Sequence, residues 1–185
     1  MRARWLQKTF EWLDQRPYAA ELPFAQFQYV RAESPFSWIE YGVTRPFFAR
    51  FAEVAPDFGA DFARAVHDQL STPLFAPLVK PMLEVFGMRT PSIAIPKGWA
   101  LTTQSMGVFH STIDERATWL LLHELTPALR HDELFHEIVH HTLAGILLDF
   151  PDVRIWREPA KEDDSKLVFA LHSVEHRKAA GFGTK

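Results

Sequence analysis

The sequence predicts an α+β fold: a helical N-terminal half packed on an antiparallel sheet, with a helix at about 131–148 followed by a C-terminal β-hairpin. Three observations predict it. Between residues 44 and 70, apolar side chains recur every three or four positions (Phe47, Phe51, Val54, Phe58, Phe62, Val66, Leu70), the period of one helix face. From Pro91 the composition turns β-rich, in "SIAI", "WALTTQSMGVFH" and "RATWLLLHEL". After Pro127 a helical stripe (Phe135, Ile138, Val139, Thr142, Leu143, Ile146) leads into "DVRIWRE" and "KLVFALHSV", joined by the polar "PAKEDDS".

The elements follow in order. Trp5, Leu6, Phe10 and Leu13 share one side of a short amphipathic helix that Pro17 stops. Residues 18–43 are aromatic-rich, broken by Pro23, Pro35 and Gly42, and predict little regular structure. Thr44 near the cap and Pro46 near the first turn open the long helical pattern, which Pro56 and Gly59 kink or split. Prolines 73, 77 and 81 make the next turns irregular, and a short helix over Met82–Phe86 ends at Gly87. Pro96-Lys97-Gly98 and Thr112-Ile113-Asp114 read as turns between strands. No repeat or linker divides the chain, so one domain is expected over 1–185: residues 1–43 a helix and irregular segment, 44–176 the α+β core, 177–185 a flexible tail.

Composition narrows the function. The 185 residues are 47% hydrophobic and 14% aromatic, a folding composition. A net charge of −3 gives no general electrostatic reason to bind nucleic acid. There is no cysteine, which excludes disulfides and thiolate metal sites. The opening "MRARWLQKTFEWLDQR" lacks an apolar core of signal-peptide type, and no apolar run is long enough to cross a membrane. A cytoplasmic protein is expected.

The motif with the sharpest chemistry is "HEIVH". His136 and His140, four apart on a helix, could hold Zn²⁺ while Glu137 activates its water, as in zinc peptidases. The continuation argues against it. The positions that would supply a glycine and a third histidine hold Leu143 and Ile146, and the acids that follow sit in a hairpin. Nine histidines in the chain also make an accidental match easy. The expectation is therefore no metal and no cofactor, with a zinc hydrolase using His136, Glu137 and His140 as the alternative. No phosphate loop, G-x-S-x-G or cysteine nucleophile points to another enzyme class. His67, on an apolar helix, is a weak candidate for a haem ligand.

The surroundings of that motif carry a resemblance. Leu143-Ala144-Gly145-Ile146-Leu147, then Val153–Glu158, then Asp164-Ser165-Lys166-Leu167-Val168-Phe169 resemble the C-terminal helix and hairpin of the 4-vinyl reductase superfamily. TRAPP vesicle-tethering subunits share that small ligand-binding fold. The chain as a whole is similar to uncharacterised myxobacterial paralogous proteins of about this length. Where the superfamily pattern has cysteine, this chain has Leu167. The resemblance spans roughly 44–175. It implies a non-catalytic module that senses a small hydrophobic ligand or serves as a protein scaffold, and it places Gly145 where the helix approaches the sheet.

The same resemblance implies an apolar pocket between the helical half and the strands at 99–125, walled by Phe62, Val66, Met82, Leu83, Phe86, Trp99, Leu101 and Trp119. The competing expectation is a solid core that uses only its surface. The apolar faces of 3–14 and 44–70 look larger than one chain can cover, so a homodimer or another protein partner is expected.

Overall fold

The computed structural model describes residues 1–70, 89–114, 117–148, 153–158 and 166–173. Helix α1 (Ala3–Leu13) buries Ala3, Leu6, Phe10 and Leu13 completely, the three-to-four spacing read from the sequence. Two 3₁₀ turns (Ala19–Glu21, Phe24–Phe27) and α2 (Gln28–Ala32) occupy the proline-broken stretch. Helix α3 (Tyr41–Val54) starts three residues before Thr44. Thr44 is buried inside it, its hydroxyl donating to the Tyr41 carbonyl at 3.1 Å. The expected break falls at Pro56. Ala55, the residue before it, is extended (φ −74°, ψ 127°), because a following proline disfavours the helical region. Helix α4 (Phe58–Leu70) then restarts, with the Asp57 carboxylate accepting from the Ala60 amide at 2.9 Å.

The first correction lies at α5 (Arg89–Thr102), a helix where strands were expected in "SIAI" and "WALT". Ile95 is buried and Trp99, four residues on, packs its ring edge-on against Phe109 with centroids 5.1 Å apart. A single face thus meets the sheet at helical spacing, and that packing overrides a β propensity that depends on context. Pro91 stands in the first turn, where its missing N–H costs nothing.

Strand β1 (Val108–Ile113) pairs antiparallel with β2 (Thr118–His123), Phe109 opposite Leu122. Helices α6 (Pro127–Arg130) and α7 (Glu133–Ile146) follow, then β3 (Val153–Glu158) and β4 (Leu167–Ser173). The sheet order is β1-β2-β4-β3, all antiparallel, so the last strand is central, with Leu120 opposite Phe169. Phe109, Leu120, Leu122, Phe169 and Leu171 are the sheet's share of the core. Helix α7 lies between the sheet and α4. Gly145 makes its close approach to α4, where a Cβ would meet Val66 at 2.8 Å, and not to the sheet as expected.

The helical half is filled by phenylalanine. Phe10, Phe47, Phe48, Phe51 and Phe62 are fully buried, with Phe10 and Phe47 centroids 4.3 Å apart and Phe48 edge-on to Phe62 at 5.8 Å. Most of the faces of 3–14 and 44–70 is covered within the chain, while Leu70 stays 37% exposed.

Candidate functional site

A cavity of about 810 Å³ opens where the helical half meets one end of the sheet. That is within the usual size of small-molecule sites, roughly 300–1,000 Å³. Its walls are Met1, Trp38–Gly42 and Arg45 at the entry to α3, Gln104–Met106 between α5 and β1, and Thr126–Leu129, His131 and Asp132 around α6. Local chemistry explains each wall. Pro127 opens the single turn of α6, and Asp132 caps α7, its carboxylate accepting from the Leu134 amide at 3.1 Å and the Phe135 amide at 3.4 Å. Two non-glycine residues near it adopt left-handed backbone, Ser105 (φ 56°) in the loop before β1 and Glu124 (φ 58°) just after β2. Left-handed non-glycine residues cost on the order of 1–3 kcal/mol each and gather at functional sites.

Asp132 is the electrostatic centre of the cavity. It accepts from Arg45 Nε at 2.6 Å and from the Tyr41 hydroxyl at 3.2 Å, and its side chain is only 9% exposed. Burial alone would raise its carboxyl. The hydrogen bond and charge of Arg45, with the Phe135 amide and Tyr41, outweigh burial and hold it below the usual carboxylate range. Burial, then the Asp132 charge, push the Tyr41 phenol above its ordinary value.

Among the described residues, those expected to wall an apolar pocket are not assembled as one wall. Phe62 and Val66 belong to the filled core. Trp99 lies against Phe109 and donates from Nε1 to the Gly107 carbonyl at 3.1 Å. Leu101 is 72% exposed, because α5 turns that position outward. Trp119 alternates with the buried Leu120 and so takes the opposite sheet face, where its Nε1 donates to Asp114 at 2.8 Å. Met82, Leu83 and Phe86 lie outside the described residues, as do Asp164 and Ser165 of the expected turn.

The "HEIVH" segment is helical, as the spacing requires, but it does not make a zincin site. His136 is buried, with Nε2 3.1 Å from the Leu129 carbonyl and Nδ1 3.0 Å from an Arg157 Nη. An acceptor at one nitrogen and a donor at the other assign the Nε2–H tautomer and leave no lone pair for an ion. His140 turns toward the sheet instead, its ring stacked on Phe169 at 6.4 Å. The triplet whose donor atoms converge is Glu137, His140 and His141. His67 sits beside Asp68, its Nδ1 3.3 Å from that carboxylate, and it is not among the cavity's walls.

No protein-family model matches the chain, and no curated protein matches it. Solved structures do. A structure from work on haem distortion in the H-NOX family superposes with a TM-score of 0.61 at 11% identity, covering 94% of this chain and 95% of that one. The Fe(II) unliganded H-NOX protein from K. algicida gives 0.59 at 8%, covering 94% and 96%. A structure from work on the mechanism of H-NOX activation gives 0.59 at 11%, covering 94% and 97%.

The fold is that of the H-NOX domains. This corrects two expectations. The resemblance to the 4-vinyl reductase and TRAPP-like superfamily is replaced by the H-NOX fold, because nearly the whole chain superposes on H-NOX chains and a short helix-and-hairpin pattern does not discriminate between such folds. The expectation of no cofactor, with zinc as its alternative, is contradicted by fold neighbours whose descriptions name haem, the one from work on haem distortion and another from work on haem redox potential.

The donor types a haem needs are an axial nitrogen or sulfur, a cation for the propionates and an apolar slot. The cavity offers each in kind. His131 is the imidazole among its described walls, and Trp38, Ile39, Met106 and Leu129 are apolar. Arg45 engages Asp132 through Nε and one Nη, which leaves the other Nη for an anion. Residues 71–88, outside the described set, contain no histidine, cysteine or tyrosine. Sequence reasoning missed this cavity because its walls come from four stretches far apart in the chain. The traceable signals were Pro127 and Asp132, a first-turn proline and an N-cap.

Proposed function

We propose that this protein is a non-catalytic ligand-sensing domain whose ligand occupies the cavity between Trp38–Arg45 and Thr126–Asp132, with haem as the candidate ligand. One observation carries the reading: a cavity of ligand size lies at the junction of the two halves, with Ser105 in a left-handed conformation on one wall and the half-buried Asp132 carboxylate touching both halves. Haem supports the reading through the descriptions of the fold neighbours and through the donor types in the walls.

Each wall has a role. His131 and Arg45 would hold the haem, through an imidazole nitrogen and a cation for its carboxylates, and Trp38, Met106 and Leu129 would shield it from water. Bound haem would supply an iron able to take a small exogenous ligand. Signalling requires that the ligand prefer one of two conformations. Asp132 joins α3 to the cap of α7, so a ligand anion that competes for Arg45 favours a different arrangement of the two halves.

The test is a haem titration of the full chain followed at the Soret band. A one-to-one complex is expected, weakened by His131→Ala and by Arg45→Ala. Absence of a complex, or equal binding by His131→Ala, sinks the haem assignment.

A second reading, a protein-interaction module, has its own observation. Phe36 (74% exposed), Leu101 (72%) and Trp38 (39%) gather around Arg2. The Arg2 amide donates to the Thr102 carbonyl at 3.0 Å, and its guanidinium lies 3.8 Å over the Trp38 ring. Light scattering of the wild type against Phe36→Ser tests self-association there. A monomer at high concentration in both removes the homodimer version.

A further inference from the structure

Away from the cavity, three side chains of α7 converge. Glu137, His140 and His141 stand at i, i+3 and i+4, and their metal-capable atoms all lie within 4.8 Å of one another. His141 Nε2 is 3.1 Å from Glu137 Oε2. Two donors held by one ion at roughly 2.0–2.2 Å stand about 3 Å apart, so this pair already has the separation an ion requires.

The two rings are held in place from outside the triplet. His141 lies edge-on to Phe58 of α4, centroids 5.9 Å apart at 88°. It occupies a notch that exists because residue 59 is glycine: a Cβ there would meet His141 Nε2 at 2.7 Å. His140 is stacked on Phe169 of β4, with its ring centroid 5.0 Å from that of His141. The Glu137 side chain is 48% exposed, which gives the triplet its opening to solvent.

We propose that Glu137, His140 and His141 bind one divalent first-row transition ion, with water completing its shell. Mixed imidazole and carboxylate donors suit the late members of that series. The site shares two residues with "HEIVH" but is a different object, because His136 faces the interior and takes no part. It also stands apart from the cavity, so it does not depend on the identity of the ligand bound there.

The test is calorimetric titration of Ni²⁺ into the full chain, with Cu²⁺ and electron paramagnetic resonance as a second readout. One ion per chain is expected, with two nitrogen donors in the copper spectrum. By the usual cost of losing a ligand or its support, His141→Ala and Glu137→Gln should each weaken binding at least about tenfold. Gly59→Ala, which removes no ligand but crowds the His141 ring, should weaken it roughly tenfold, as loss of a supporting contact does. His110→Ala, outside the triplet, should bind as the wild type does. Circular dichroism confirms that each variant is folded. No stoichiometric binding by the wild type, or undiminished binding by folded His141→Ala and Gly59→Ala, overturns the proposal.

Discussion

Gly145 of α7 lies so close to Val66 of α4 that a Cβ at position 145 would stand 2.8 Å from the Val66 Cβ, and the Ala63 carbonyl presses on the same point. Gly145→Ala therefore sets two effects against each other. Alanine gains about 1 kcal/mol in helix propensity. Overpacking a filled interface costs about 1–3 kcal/mol. The backbone carbonyl cannot swing away as a side chain can, so the cost wins. Urea denaturation should show a net loss of about 1–2 kcal/mol. A stabilised variant would mean that α4 and α7 are further apart than described.

Asp132→Asn isolates a charge, because asparagine caps a helix about as well as aspartate. The Asp132 carboxyl is held below its ordinary value in the folded chain. A carboxyl depressed on folding stabilises above its unfolded pKa, and that contribution is lost as pH falls through the folded value. The variant should be less stable than the wild type by about 1 kcal/mol at neutral pH, a modest figure because Arg45 is half exposed. The difference should close as pH drops below about 4, the ordinary range of an aspartate in an unfolded chain. Melting curves of both proteins from neutral to acid pH measure it, and a pH-independent difference would contradict the assignment.

His136 and Glu137 separate structure from chemistry. His136→Ala leaves the Leu129 carbonyl without its buried side-chain donor and removes one of the Arg157 acceptors, Glu133 remaining, and should cost about 1–3 kcal/mol. Glu137→Gln on the exposed side should change stability by less than about 0.5 kcal/mol. Chemical denaturation in the presence of a chelator checks both without interference from any bound ion.

Phe62 and Leu101 were expected to line the same pocket. Phe62→Ala should cost about 3–5 kcal/mol, because its ring is enclosed by Trp5, Phe48, Phe51 and Phe58. Leu101→Ser should stay within about 0.5 kcal/mol, because that side chain is mostly in water. Comparable costs at both sites would contradict the described orientation of α5.

Local rules were legible where the chain obeys them. The stripe from Phe47 to Leu70, the break at Pro56, the helix around 131–148 and the β-rich runs at 118–123, 153–158 and 167–173 were all read from period and punctuation, and the structure has them. The sequence alone also determined the absence of cysteine and hence of thiolate metal chemistry. Among the described residues no helix is long and apolar enough to cross a membrane, as the hydropathy pattern required.

Tertiary structure decided the rest, because it depends on which surfaces meet. Residues 92–102 are helical since Ile95 and Trp99 find the sheet at helical spacing, against their local propensity. The strand order β1-β2-β4-β3, which makes the last strand central, is invisible to a short-range pattern. So is the cavity, whose walls run from Met1 to Asp132 in the chain. The "HEIVH" segment shows the limit most clearly. Its spacing is local, and the sequence placed its residues on one helix. Only packing determined that His136 turns inward to Leu129 and Arg157, while a glycine on a neighbouring helix gives His141 room beside Glu137.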